Sequence, residues 1–142
     1  MAFPGGCLCG AIRYELQRKF LNAIHCYCEM CRKAHGTAFS THVSARPDQL
    51  NWLQGKELLK AYESSPGAYR EFCEWCGTHV LVHGQTHDNG LAVPAGTLAG
   101  DPPLNIVGHM YTESQVAWFA IADAYPQHPQ WPPDIAPKAG VS

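Results

Sequence analysis

At 142 residues the chain suits one domain, because a second independent core would leave both too small to bury enough apolar surface. With 46% hydrophobic and 15% charged residues it reads as globular and not disordered, and a net charge of −2 with a pI near 6.4 leaves no electrostatic footprint for nucleic acid or an anionic membrane. No apolar run approaches the roughly 20 residues that span a bilayer, and Met1-Ala2-Phe3-Pro4-Gly5-Gly6-Cys7 lacks a basic segment followed by a hydrophobic stretch, so the expected location is the cytoplasm with no membrane partner.

After the cysteine pair Cys7-Leu8-Cys9, Ile12, Tyr14 and Leu16 alternate with Arg13, Glu15 and Gln17, a period of two that predicts a half-buried strand. Leu21 to Cys26 is a shorter apolar run that delivers Cys26 and Cys28. Glu29 to His35 predicts a turn or two of helix, stopped by Gly36 in the left-handed conformation. Phe39, Thr41 and Val43 restore the alternation, and Arg46-Pro47-Asp48 signals a turn. The stretch Lys56 to Tyr62 has helix-favouring residue types, but the turn Ser64-Ser65-Pro66-Gly67 follows too soon for a long helix, so a strand is expected.

Arg70-Glu71-Phe72 leads into Cys73-Glu74-Trp75-Cys76, and His79 to His83 leads out. Leu91 to Ala95, Ile106 to Tyr111 and Val116 to Ile121 predict further strands. After Ala124, five prolines in thirteen residues predict an extended segment without a ladder. The fold class is therefore mainly β, with short helices and many turns.

Seven cysteines in a reducing compartment need a role other than disulfides, and an odd number cannot all pair. None stands alone: they form Cys7-x-Cys9, Cys26-x-Cys28-x-x-Cys31 and Cys73-x-x-Cys76. Cys-x-Cys is a strained disulfide but an easy two-point chelate, so clustering favours metal. Cys73-x-x-Cys76 followed by Gly77 has the form of a zinc knuckle, in which the glycine lets backbone amides approach the sulfurs. Together with Cys7 and Cys9 it supplies four thiolates, which fill tetrahedral Zn²⁺ and leave no vacant position. Such a site ties the first strand to mid-chain. Iron in the same knuckle, or a redox Cys-x-x-Cys, are the competing readings, although no helix signal follows Cys76.

Cys26, Cys28 and Cys31 remain. Three sulfurs can converge on one zinc and leave its fourth position free, the usual sign of a catalytic site. A formal charge of −1 makes that metal a weak Lewis acid, better suited to holding an incoming thiol as its thiolate. A histidine fourth ligand, His35 or less readily His25, would instead close it. The other histidines (His42, His79, His83, His87, His109, His128) read as packing or surface groups.

Gly6-Cys7-Leu8-Cys9-Gly10-Ala11-Ile12-Arg13-Tyr14, Cys26-Tyr27-Cys28-Glu29-Met30-Cys31-Arg32 and Phe72-Cys73-Glu74-Trp75-Cys76-Gly77-Thr78 match, in order, the glutathione-dependent formaldehyde-activating enzyme family, also called the centromere protein V family. The resemblance continues through Arg32 to Gly36, Tyr62 to Gly67, Gly96-Thr97-Leu98, His109-Met110-Tyr111, Trp118 and Asp123 to Gln127. It covers about residues 5–128 as one zinc domain, with 129–142 as a proline-rich tail. It implies a β-tent zinc-binding fold and the same four-and-three division of cysteines. It also implies a carbon–sulfur lyase that reversibly joins glutathione and formaldehyde, with the glutathione sulfur held at Cys26, Cys28 and Cys31. The family commonly has histidine between the first two cysteines of this cluster, where Tyr27 stands here.

Two functions from different classes follow. In an enzyme, a small thiol such as glutathione adds to an aldehyde at the three-cysteine zinc. Tyr27, His25 or His35 then steadies the alkoxide, and Arg32 and Lys33 pair with a carboxylate. In the alternative, the chain is a non-catalytic zinc module with two structural metal sites; a metal-sensing or storage role ranks third.

Overall fold

The computed structural model describes residues 1–84 and 90–134, so His87 and residues 135–142 of the proline-rich tail lie outside it. In chain order the elements are β1 (Ala2–Gly6), β2 (Arg13–Gln17), β3 (Leu21–Cys26), α1 (Glu29–His35), β4 (Ser40–Ala45), β5 (Leu50–Gln54), β6 (Leu59–Ser65), β7 (Ala68–Cys73), β8 (His79–His83), β9 (Leu91–Pro94) and β10 (Leu104–Met110), with short 3-10 turns between some of them. The mainly β fold class expected from periodicity is the one observed. Strands β1-β2-β5 form one antiparallel sheet. A second sheet of seven runs β10-β3-β4-β9-β8-β7-β6, antiparallel except for the β10–β3 pair.

The core lies where the two sheets face each other. Ile12, Tyr14 and Leu16 are wholly buried, as their alternation requires, and share one cluster with Leu21, Ala23, Val43, Val80, Val93 and Leu98. Burying Ile12 or Leu16 contributes about 1.5–3 kcal/mol each. The Tyr14 hydroxyl remains satisfied inside by the Thr97 hydroxyl at 2.6 Å. Cys7 and Cys73 belong to this cluster too, so the first cysteine pair and the knuckle are anchored in the same core.

Helix α1 runs over the expected residues and ends at Gly36, whose φ of 66° is left-handed; its amide donates to the Arg32 carbonyl. Lys56–Leu58 is a single 3-10 turn, and the expected strand begins only at Leu59. Strand β4 is in a different phase from the one expected: Ser40 and His42 are buried alongside Val43 and Ala45, while Thr41 is only partly covered.

Val116 to Ile121 is not a strand. Among the described residues it pairs with no strand, and Trp118 is 73% exposed, although the Phe119 ring rests on Phe39 at 5.3 Å. Two strands carried no alternation signal: β1, which is rich in glycine and proline, and β5. The segment after Ala124 is extended but not unbonded. The His128 amide donates to the His109 carbonyl and the Tyr111 amide to the Gln130 carbonyl, at residues between the prolines, and this fixes the segment along β10. Among the described residues no helix is long and apolar enough to cross a membrane.

Candidate functional site

Cys7 and Cys9 lie on the loop from β1 to β2, which is closed by hydrogen bonds from the Cys7 amide to the Ile12 carbonyl and from the Gly10 amide to the Cys7 carbonyl. Cys73 ends β7, and Cys76 sits on the turn into β8. There the Gly77 amide donates to the Cys73 carbonyl at 2.8 Å, with Gly77 at a φ of 77° that favours glycine. The four sulfurs lie within 4.8 Å of one another. Zn–S bonds of about 2.3 Å in a tetrahedron put sulfurs about 3.8 Å apart. Cys7 to Cys9 is 3.6 Å and Cys9 to Cys73 is 3.9 Å. The donor set and its spacing therefore suit such an ion.

Amide donors reach these sulfurs, though not from Gly77. The Ile12 amide donates to Cys7 Sγ at 3.3 Å. Thr78, which carried no signal beyond its place after the knuckle, links both halves: its hydroxyl accepts from the Leu8 amide at 3.0 Å and lies 3.3 Å from Cys76 Sγ. That hydroxyl, followed by the amides of Cys9 and Thr78, holds the Cys76 thiol down at about 5, so it is ready to serve as a thiolate.

The second group forms where β3 ends. Cys26 is its last residue, 2% exposed, and the parallel pairing with β10 continues one step further through the Tyr27 amide to the Met110 carbonyl. Cys28 is the N-cap of α1: its sulfur accepts from the Cys31 amide at 3.3 Å, and Cys31 is the one buried residue of that helix. A strand end, a cap and the first helical turn thus bring three sulfurs within 4.8 Å of one another.

Among the described residues no histidine nitrogen joins this group. Hydrogen bonds from Cys26 and Cys28 draw the Cys31 thiol well below the ordinary range against the effect of burial, with His42 and Arg70 adding to it. Hydrogen bonds with Cys28 and Cys31, and then burial, push Cys26 up. The buried Arg70 donates Nη2–H to Cys31 Sγ at 3.5 Å. Three thiols, Cys26 and Cys31 buried and Cys28 partly so, competing for their protons beside one cation are a donor set that a divalent metal would satisfy.

The three-cysteine group lines a cavity of about 590 Å³, and none of the other four cysteines does. Tyr27, His25 and His35, the expected oxyanion donors, are absent from its walls. Tyr27 is 1% exposed, and its hydroxyl meets His109 Nδ1 at 2.9 Å, while His109 Nε2 meets Asp123 Oδ1 at 2.8 Å. His25 Nδ1 meets the Thr41 hydroxyl at 2.7 Å, since alternation along β3 turns it away from Cys26. The His35 ring packs between those of His42 and His79.

Arg32 and Lys33 are likewise engaged elsewhere, Arg32 with the Tyr27 carbonyl and Lys33 with Glu29 at 3.0 Å. The charged and polar groups that line the cavity include Arg18, Glu29, His42, Arg46, His83, Tyr111 and Asp134; Arg18 also donates to the Phe20 carbonyl and to Gln49 Oε1, and Arg46 pairs with Asp48 at 3.1 Å. Tyr111 carries the one positive φ among the described non-glycine residues, 57°, a strained conformation often found at functional sites. No spacing rule marks it, and only its place in the His109-Met110-Tyr111 run drew attention to it.

The family model described as glutathione-dependent formaldehyde-activating enzyme matches residues 2–114. A protein of Halomonas elongata, provisionally named glutathione-dependent formaldehyde-activating enzyme, is 28% identical over 132 residues, covering 85% of this chain and 82% of its own length. The crystal structure of a Rhodobacter sphaeroides protein aligns with a TM-score of 0.59 at 28% identity, covering 70% of this chain and 91% of that one.

Proposed function

The chain belongs to the glutathione-dependent formaldehyde-activating enzyme family, and on that premise we propose that it is a carbon–sulfur lyase that reversibly joins a small thiol to an aldehyde at Cys26, Cys28 and Cys31. The observation that supports this reading most is that these three sulfurs, and not the other four, line the cavity. Cys7, Cys9, Cys73 and Cys76 would hold one zinc as a structural clamp, and Cys26, Cys28 and Cys31 a second. A zinc held by three thiolates supplies a free position where an incoming thiol is ionised near neutral pH.

The reaction forms one S–C bond. The carbonyl π pair moves to oxygen, and the thiol proton ends there, so the hemithioacetal contains every atom of its two precursors. The chain's part is to place the reactants and steady the oxygen. Tyr111 lines the cavity with Cys26 and Cys28, and burial, then the neighbouring Cys28 and Cys26, push its phenol up, so it keeps a proton to donate to the oxygen. The guanidinium nitrogens of Arg18 and Arg46 beyond those bonded to Phe20, Gln49 and Asp48 suit the carboxylates of a peptide-like thiol such as glutathione. The domain spans about residues 5–128, with 129–142 as a proline-rich tail.

Exchange spectroscopy at equilibrium, with glutathione and formaldehyde against a buffer blank, tests this. The protein is expected to speed exchange between free and hydroxymethylated glutathione. Cys28→Ser should abolish the effect, and Tyr111→Phe should lower it by about 10²-fold, in line with loss of one positioned proton donor. Exchange at the buffer rate with every aldehyde tried would overturn the enzyme reading in favour of a zinc-binding module.

A further inference from the structure

Formaldehyde adds to sulfur a single carbon bearing one hydroxyl, and the cavity at the three-cysteine group is built for more than that. Cys26, Cys31 and Met110 form one buried cluster, against which Ile24, Cys28, Tyr111 and Trp131 pack. Met30 lines the same space from α1. These apolar side chains come from β3, α1, the end of β10 and the proline-rich segment, so separate parts of the chain converge around the sulfurs.

A volume of about 590 Å³ falls in the range that encloses a whole small molecule. A peptide-like thiol, with carboxylates for Arg18 and Arg46 and an ammonium group for Asp134, accounts for the charged part of the wall. It does not account for the apolar part beside its own sulfur. With only a hydroxymethyl group there, the partly exposed Trp131 indole and Met30 thioether would stay in contact with water, and apolar surface is stabilised only when apolar atoms cover it. Thioethers and indoles conform well to alkyl chains and rings.

We propose that the carbon joined to sulfur carries an aliphatic or aromatic group, so that the substrate is the hemithioacetal of an apolar aldehyde in preference to that of formaldehyde. This rests on the thiol–aldehyde reading above and names its substrate class. The bond changes are the same: sulfur joins the carbonyl carbon, the π pair goes to oxygen and the thiol proton follows, with the apolar group unchanged.

The chain has three methionines, which makes the test direct. With carbon-13 in the methionine methyls, Met30 and Met110 report on the cavity, and Met1, 83% exposed, is the control. The metal-loaded protein is titrated with two inert thioethers, S-methylglutathione and S-benzylglutathione. The benzyl compound is expected to move the Met30 and Met110 signals by ring-current shifts, to leave Met1 in place, and to bind about tenfold or more tightly than the methyl one. Met30→Ala, at a position 41% exposed and therefore replaceable, should cut that ratio severalfold.

In exchange spectroscopy, benzaldehyde should be accelerated over its background more than formaldehyde is. Equal binding of the two thioethers, or faster turnover of formaldehyde, overturns the apolar-substrate inference and leaves the thiol–aldehyde reading standing. No acceleration of either aldehyde overturns that reading and the inference with it.

Discussion

At the scale of single residues, the sites depend on groups that add no ligand. Thr78 accepts from the Leu8 amide and lies within reach of the Cys76 sulfur, so one hydroxyl orients both halves of the four-cysteine group. Thr78→Val keeps shape and removes both bonds. It is expected to weaken metal retention there by about 10–100-fold, read as faster release to a chelator; release at the wild-type rate would contradict that role. The cysteine spacing made the two groups that could hold a metal legible, because chelation by neighbours constrains sequence separation. Spacing says nothing of hydroxyl partners, which is why Thr78 went unmarked. For the same reason Tyr27 looked like an oxyanion donor. Only the fold shows its hydroxyl turned to His109, whose other nitrogen meets Asp123, and Tyr111 on the wall instead.

At the scale of elements, helix α1 and strand β4 carry His35 and His42, which with His79 of β8 form a packed imidazole cluster. Burial, then the neighbouring His42, pushes His35 down to about 4. His35 therefore stays neutral in the fold below the pH at which an unfolded chain would protonate it. Its contribution to stability is full above about 6.5 and is lost as pH falls toward 4. Proton NMR of the His35 ring should give a midpoint well below 6; a midpoint at or above 6.5 would contradict its burial as a neutral group. The elements that periodicity revealed are those with one wet and one dry face, such as β2 and α1. Strand β5 went unmarked and the Val116–Ile121 segment was misread because pairing depends on a neighbouring edge, which local alternation cannot register.

At the scale of the whole molecule, the four-cysteine group joins the loop of one sheet to the turn between β7 and β8 of the other, beside the shared core. The three-cysteine group lies at one strand end and ties no distant elements together. Cys76→Ser should therefore lower the melting temperature by far more than Cys28→Ser, since losing a structural ligand forfeits folding energy linked to metal; equal losses would contradict the division. The four-and-three grouping was legible from the spacing of the seven cysteines, whereas the cavity beside the second group arises from chain segments over 100 residues apart, from Ile24 to Trp131. The central claim is that one metal is closed and the other is open to a thiol. Its most direct test is the absorption spectrum of the cobalt-loaded protein titrated with glutathione. Thiolate-to-cobalt absorption should rise at one of two cobalt ions per chain and fail to rise in Cys28→Ser. A spectrum unmoved by glutathione or any small thiol, with both ions bound, would contradict it.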